Sequence, residues 1–101
     1  MDCFLTIEGD RATLKIVGVI TVDNAFHFQE KLNEVKKSGV RHFDLDFSEC
    51  QTISSVGIGK ILMYYKEFQS KTHEIKIVKC SQPVYELFMT IKLNQLISIS
   101  L

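Results

Sequence analysis

The hydrophobic positions of the chain change period in a regular way. Cys3, Leu5 and Ile7 alternate with Phe4, Thr6 and Glu8, and Leu14 and Ile16 alternate with Thr13 and Lys15. A period of two belongs to a strand. With Gly9-Asp10 as the turn, residues 2 to 18 read as an antiparallel hairpin. From about Asp23 the period becomes helical. Ala25, Phe28, Leu32 and Val35 share one face, Glu30, Lys31, Glu34 and Lys37 lie on the other, and Gly39 is a natural stop. Phe43, Leu45 and Phe47 then alternate with His42, Asp44 and Asp46 as a third strand. A second helix is predicted from near Ser55, with Ile58, Ile61, Leu62, Tyr65 and Phe68 on its core stripe. Residues 75 to 79 make a fourth strand. Ser81 caps a third helix whose first turn tolerates Pro83. The tail, LISIS, fits either a helix end or a last edge strand.

The predicted order is β-β-α-β-α-β-α. Helices that link strands make those strands parallel, and the hairpin adds an antiparallel pair. The strands alternate rather than run continuously apolar, so one sheet face is packed and the other is wet. The fold class is therefore α/β, with a mixed β-sheet, an N-terminal hairpin and the helices packed on one face. Residues 1 to 101 suffice for a single domain.

Charge narrows the partners. Twelve basic and twelve acidic residues give no net charge, and the cations are spread along the chain. Nucleic acid and anionic membranes select a basic patch, so neither is expected as the main partner. The Lys36-Lys37 doublet falls at a helix C-terminus, where the dipole favours cations. Cys3, Cys50 and Cys80 are an odd set without close spacing, which suits reduced thiols better than a disulfide framework or a metal site. The N-terminus lacks a basic start and a long apolar run, and no stretch is long enough to span a membrane. The expectation is a cytoplasmic protein with no membrane insertion, no cofactor and no metal.

The candidate chemistry lies in ISSVGIG, residues 53 to 59. Ser54 or Ser55 is placed to cap the second helix, with Ser55 expected at the cap and exposed. Gly57 and Gly59 each cost about 1 kcal/mol inside a helix relative to alanine, which asks for a reason such as a close approach. A helix N-terminus favours an anion, and a hydroxyl there is able to carry a phosphate. At one-turn spacing Ser55, Gly59 and Met63 form a row with Lys66 nearby. That row suits a docking surface, since methionine adapts to varied contacts. Capping alone also accounts for a serine there, and Met63 also fits as an ordinary half-buried side chain. Phe26, off the core stripe of the first helix, either extends the docking surface or covers a sheet edge.

Catalytic readings fit less well. A nucleophile elbow needs glycine two residues before the serine, where Ile53 stands. A phosphate-binding loop fails because Ser54 replaces its first glycine and Ile61 follows Gly59-Lys60 in place of Ser or Thr. The histidines at 27, 42 and 73 have no metal-ligand spacing with the cysteines.

These residues together resemble the STAS domain, the anti-sigma factor antagonist family. The family follows its third strand with a motif close to D-S-S/T-G-L-G. Here Ser54-Ser55-Val56-Gly57-Ile58-Gly59 follows HFDLDFS. GVITVDNAF, residues 18 to 26, is similar to the family's entry into the first helix, and KCSQPVYELF, residues 79 to 88, to its entry into the third. The resemblance covers nearly the whole chain and implies a single STAS-like domain.

It further implies a partner switch without enzymatic activity. The motif serine, Ser55 by position, is phosphorylated by an anti-sigma factor that is also a serine kinase of the histidine-kinase-like ATPase fold, and a phosphatase resets it. Ser54 is the acceptor if the register slips by one. Ser54, Ser55, Val56, Gly57, Gly59, Met63, Asp23 and Phe26 are the expected partner-binding residues. The sequence departs from the family at Ser54, where an acid is usual, at Val56, where Ser or Thr is frequent, and at Thr21, where some members carry an acid. Asp23 and Asp46 are the acidic neighbours expected near the loop. The alternative role is a STAS subunit of a transporter, or a stress-signalling scaffold, without a phosphoswitch.

Overall fold

The computed structural model describes all residues from Met1 to Leu101. The elements in chain order are β1 (Asp2–Glu8), β2 (Arg11–Ile20), α1 (Ala25–Ser38), β3 (His42–Ile53), α2 (Ser55–Phe68), β4 (Glu74–Cys80), α3 (Gln82–Thr90), a 3-10 turn at Leu93–Gln95 and β5 (Ser98–Ile99). The five strands lie side by side in sequence order. β1 and β2 are antiparallel, with Leu5 opposite Leu14, and every later pair is parallel. The tail resolves to the edge strand β5 against β4.

One face of this sheet is covered by all three helices. Ala12, Leu14 and Ile16 of β2, Phe43, Leu45 and Phe47 of β3, and Ile75 and Ile77 of β4 are buried there. The α1 stripe is the expected one: Ala25, Phe28, Leu32 and Val35. Aromatic rings tie the layers. Phe47 meets Phe28 of α1 and Phe88 of α3 edge-on, and Phe43 meets Tyr64 and Phe68 of α2. Such edge-to-face pairs add to the burial that holds helices on sheet. The opposite face is wet and crossed by ion pairs, Arg11 with Asp44 and Lys15 with Glu49.

Two sequence expectations change here. The third strand is longer than its alternation from His42 to Phe47: β3 runs on through the polar segment SECQTI to Ile53. Register shifts against β2, between Lys15 and Val17 and again between Gly18 and Ile20, put Cys50 and Ile53 inward although they are three residues apart. An extra residue in a ladder turns the following side chains to the other face. On α2 the buried residues are Gly57, Ile61, Tyr64 and Phe68, and the expected Ile58, Leu62 and Tyr65 are half-buried. Tyr64 rather than Tyr65 takes the core position.

No helix is long and apolar enough to cross a membrane. The three thiols are unpaired, and Cys50 and Cys80 are buried.

Candidate functional site

The site sits where the parallel strands β2 and β3 end. The Ser54 N–H donates to the Ile20 carbonyl at 2.8 Å, which locks the β3–α2 junction against the β2–α1 loop. Ser54 is extended, and its hydroxyl accepts from the Gly57 N–H at 3.2 Å. Ser54 is therefore the cap of α2, and the expectation that Ser55 caps it is corrected. Of two adjacent serines only the one still in extended conformation turns its oxygen back onto the first turn. Ser55 is the first helical residue, is exposed, and has no hydrogen-bond partner for its hydroxyl within the chain.

The two glycines differ. Gly57 is buried, and a Cβ there would lie 2.8 Å from Ile20 Cγ2 and 2.8 Å from Ile53 Cγ1. The close approach expected at Gly57 is made by the domain's own core. Gly59 has open space where its Cβ would be. Nothing inside the domain explains a glycine there.

The β2–α1 loop is built by a reciprocal pair. The Thr21 N–H donates to Asn24 Oδ1 at 2.7 Å, the Asn24 N–H donates to Thr21 Oγ1 at 3.1 Å, and Asn24 Nδ2 donates to the Val19 carbonyl at 2.9 Å. This braces the loop and leaves Val22 and Asp23 outward and exposed. Phe26 follows, exposed and stacked on His27 with ring centroids 4.3 Å apart.

Helical spacing places these groups together. Gln29 and Asn33 of α1 line a narrow groove with Lys60, Met63 and Glu67 of α2. Phe26 stands on the same stripe of α1 as Gln29 and Asn33, and Val56 on the same stripe of α2 as Lys60 and Met63. The ion pair of Lys36 with Glu67 closes the far end. Val22, Phe26 and Met63 are each more than half exposed, and Val56 is 39% exposed. The structure thus puts Phe26 and Met63 on the facing stripes of α1 and α2, with Val56 on the Met63 stripe. Ser55 lies on the side of α2 that carries Ile58 and Leu62, Gly59 follows it one turn on, and Asp23 stands on the exposed β2–α1 loop. The structure separates Asp46, whose carboxylate accepts from Ser48 on the wet sheet face, seven residues before the end of β3 and so on the order of 20 Å away along the strand. Sequence reasoning missed Val22 and Asn24. For Asn24 the signal was present in the Thr21-x-x-Asn24 spacing, two short polar side chains able to bond neighbouring backbone across a turn; an exposed valine such as Val22 carries no such signal. No cluster of three or more His, Cys, Asp or Glu side chains forms a metal-holding group.

The family model described as "Mlab, STAS domain" matches residues 3–98. No curated protein gives a significant match. Among solved structures, an anti-sigma factor antagonist from Mycobacterium paratuberculosis is similar with a TM-score of 0.87 and 13% identity, over 97% of this chain and 83% of that one. The anti-sigma factor antagonist SpoIIAA in its unphosphorylated form gives a TM-score of 0.81 at 14% identity, over 99% and 89%. The Bacillus cell fate determinant SpoIIAA in its phosphorylated form gives 0.74 at 13%, over 99% and 92%. At these identities the likeness is one of fold.

Proposed function

The chain belongs to the STAS domain family, and we propose that it acts there as an anti-sigma factor antagonist-like protein, a phospho-regulated partner switch. The observation that carries this reading is the setting of Ser55. Its hydroxyl is exposed, unengaged and first in α2, next to exposed Val56 and on the same helix as exposed Met63, while exposed Val22 and Phe26 follow β2, whose end is bonded to the β3–α2 junction through Ser54 and Ile20. Ser54, the other hydroxyl of the pair, is occupied as the cap.

The partner is an anti-sigma factor with serine kinase activity, of the histidine-kinase-like ATPase fold, and a phosphatase completes the cycle. It docks on the unphosphorylated surface, with Gly59 leaving room for its backbone. A phosphate on Ser55 adds about −1.5 to −2 charges. The helix N-terminus tolerates that charge, so the domain itself keeps its fold. The apolar docking ring does not tolerate it, because a partner would have to desolvate the charge. A loss of about 3 kcal/mol is roughly a hundredfold in affinity, enough to exchange partners.

A second reading rests on Ser54 standing where the family usually has an acid. In it the same patch docks constitutively, as a subunit of a transporter or of a stress-signalling scaffold. Phosphopeptide mapping of the protein isolated from its own cells separates the two. Phosphate on Ser55 supports the switch. Its absence from Ser55 across growth and stress conditions supports the constitutive reading.

A further inference from the structure

On the other side of Ser55 lies a second concavity, between α2 and the segment that follows α3. Its volume is about 410 Å³. Its walls are Ile58 and Leu62 of α2 and Ile91 and Leu96 beyond α3, with buried Leu93 beneath. Only two lining residues are polar, Ser55 and Lys92. Ile91 and Leu96 are 44% and 50% exposed, so apolar surface is left in water. The size falls at the small end of ligand sites, and the lining has their usual character, mostly apolar with a few placed polar groups.

Lys92 gives the lining its charge. It is the only charged residue of the lining, no carboxylate stands with it, and it forms no ion pair. It is also the only non-glycine residue with positive φ, at 61°. Glycine or asparagine adopts that conformation at a helix end with less strain. A lysine held there against its backbone preference points to a use for its side chain.

We propose that this groove binds a single-chain amphiphile with an anionic head, a medium-chain fatty acid. The aliphatic walls take the chain, and the Lys92 ammonium, with the Ser55 hydroxyl, takes the carboxylate. Ser55, Ile58 and Leu62 follow one another along about 10 Å of α2, which gives the groove an elongated wall suited to an extended chain. The walls come from helical segments whose backbone groups are bonded internally, the Ile91 N–H to the Leu87 carbonyl and the Lys92 N–H to the Met89 carbonyl. They offer no ladder to a peptide backbone. An acyl chain needs none. The inference is independent of the phosphoswitch, since it concerns the unmodified protein.

The test is calorimetric titration of the whole unmodified chain with dodecanoate and with dodecyltrimethylammonium, both below their micelle concentrations. The wild type is expected to bind dodecanoate saturably, one per chain, and at least tenfold more tightly than the cationic amphiphile of equal chain length. Lys92→Glu is expected to reverse that order, and Leu96→Ser to weaken both. Amide chemical shifts of the wild type should move at Ile58, Leu62 and residues 91 to 96. No saturable binding of dodecanoate, equal binding of both heads, or shifts confined to another surface would overturn the proposal. In that event the exposed leucine and isoleucine side chains belong to a protein-docking surface.

Discussion

The hydroxyl of Ser54 accepts the Gly57 N–H at 3.2 Å, and this one bond sorts two neighbouring serines into different roles. Ser54 holds the helix, and Ser55 is left free at its exposed first position. Removing the first should cost stability and removing the second should not. Ser54→Ala is expected to destabilise the domain by about 1 kcal/mol, the usual cost of a lost cap. Ser55→Ala should stay within about 0.5 kcal/mol of wild type, as exposed substitutions do. Urea unfolding of both variants checks this, and equal losses would contradict the assignment of the cap.

Gly57 and Gly59 lie two residues apart in α2 and should respond to alanine in opposite directions. At Gly57 the added methyl meets Ile20 and Ile53 at 2.8 Å. Overpacking of about 1–3 kcal/mol is set against about 1 kcal/mol of gained helix propensity. A net loss is expected. At Gly59 nothing opposes the methyl, so Gly59→Ala should stabilise by up to about 1 kcal/mol. The same variant should weaken partner binding. Thermal unfolding measures the first effect and a binding assay the second.

Tyr64 carries a buried hydroxyl with no hydrogen-bond partner, packed between Phe43 and Phe68. An unmade hydrogen bond in a buried place stabilises nothing. Tyr64→Phe should therefore leave stability unchanged or raise it by up to about 1 kcal/mol. A loss above about 1.5 kcal/mol in urea unfolding would mean that the hydroxyl is bonded in solution, a loss typical of a broken buried bond.

Alkaline pH should destabilise the protein through its buried acids. The Cys80 thiol is pushed up from 9.0 to about 11, by burial first and then by Cys50 and Asp46. Burial, and then Glu67, also raises the Tyr64 phenol well above its ordinary range. Both groups are neutral when protonated. Below pH 9 folded and unfolded chains hold the Cys80 proton alike. Above it the unfolded chain releases that proton first, so stability falls as pH rises toward 11. The Cys80 share is below about 3 kcal/mol. Urea midpoints from pH 7 to 11 should be flat and then fall, and Cys80→Ala should show a shallower fall.

Much of this architecture was legible because single periods dictate it. Phe28, Leu32 and Val35 keep one helical face, and Leu14 with Ile16 and Phe43 with Leu45 and Phe47 keep one strand face, so helices on one side of a mixed sheet followed. The end of β3 was not legible. Shifts of register against β2 break the alternation at Cys50 and Ile53, and a period-two reading stops there. Tyr64 and Tyr65 are adjacent aromatics, and only the packing of α2 over Phe43 selects the first. The two serines were ambiguous in the same way, since either residue type suits a cap and backbone conformation decides. The groove beside Ser55 joins α2 to residues about thirty to forty positions away, a juxtaposition that no local pattern carries.

In the switch proposed here, Ser55 is the control point of a protein–protein contact. Affinity capture from the source cells with wild type, Ser55→Ala and Ser55→Glu in parallel tests it most directly, with bound proteins identified and quantified by mass spectrometry. The expected result is a kinase-like regulator retained by wild type and by Ser55→Ala and lost, by tenfold or more, with Ser55→Glu. Equal retention of the same partner by all three would contradict the switch and leave Ser55 an inert residue on a constitutive docking face.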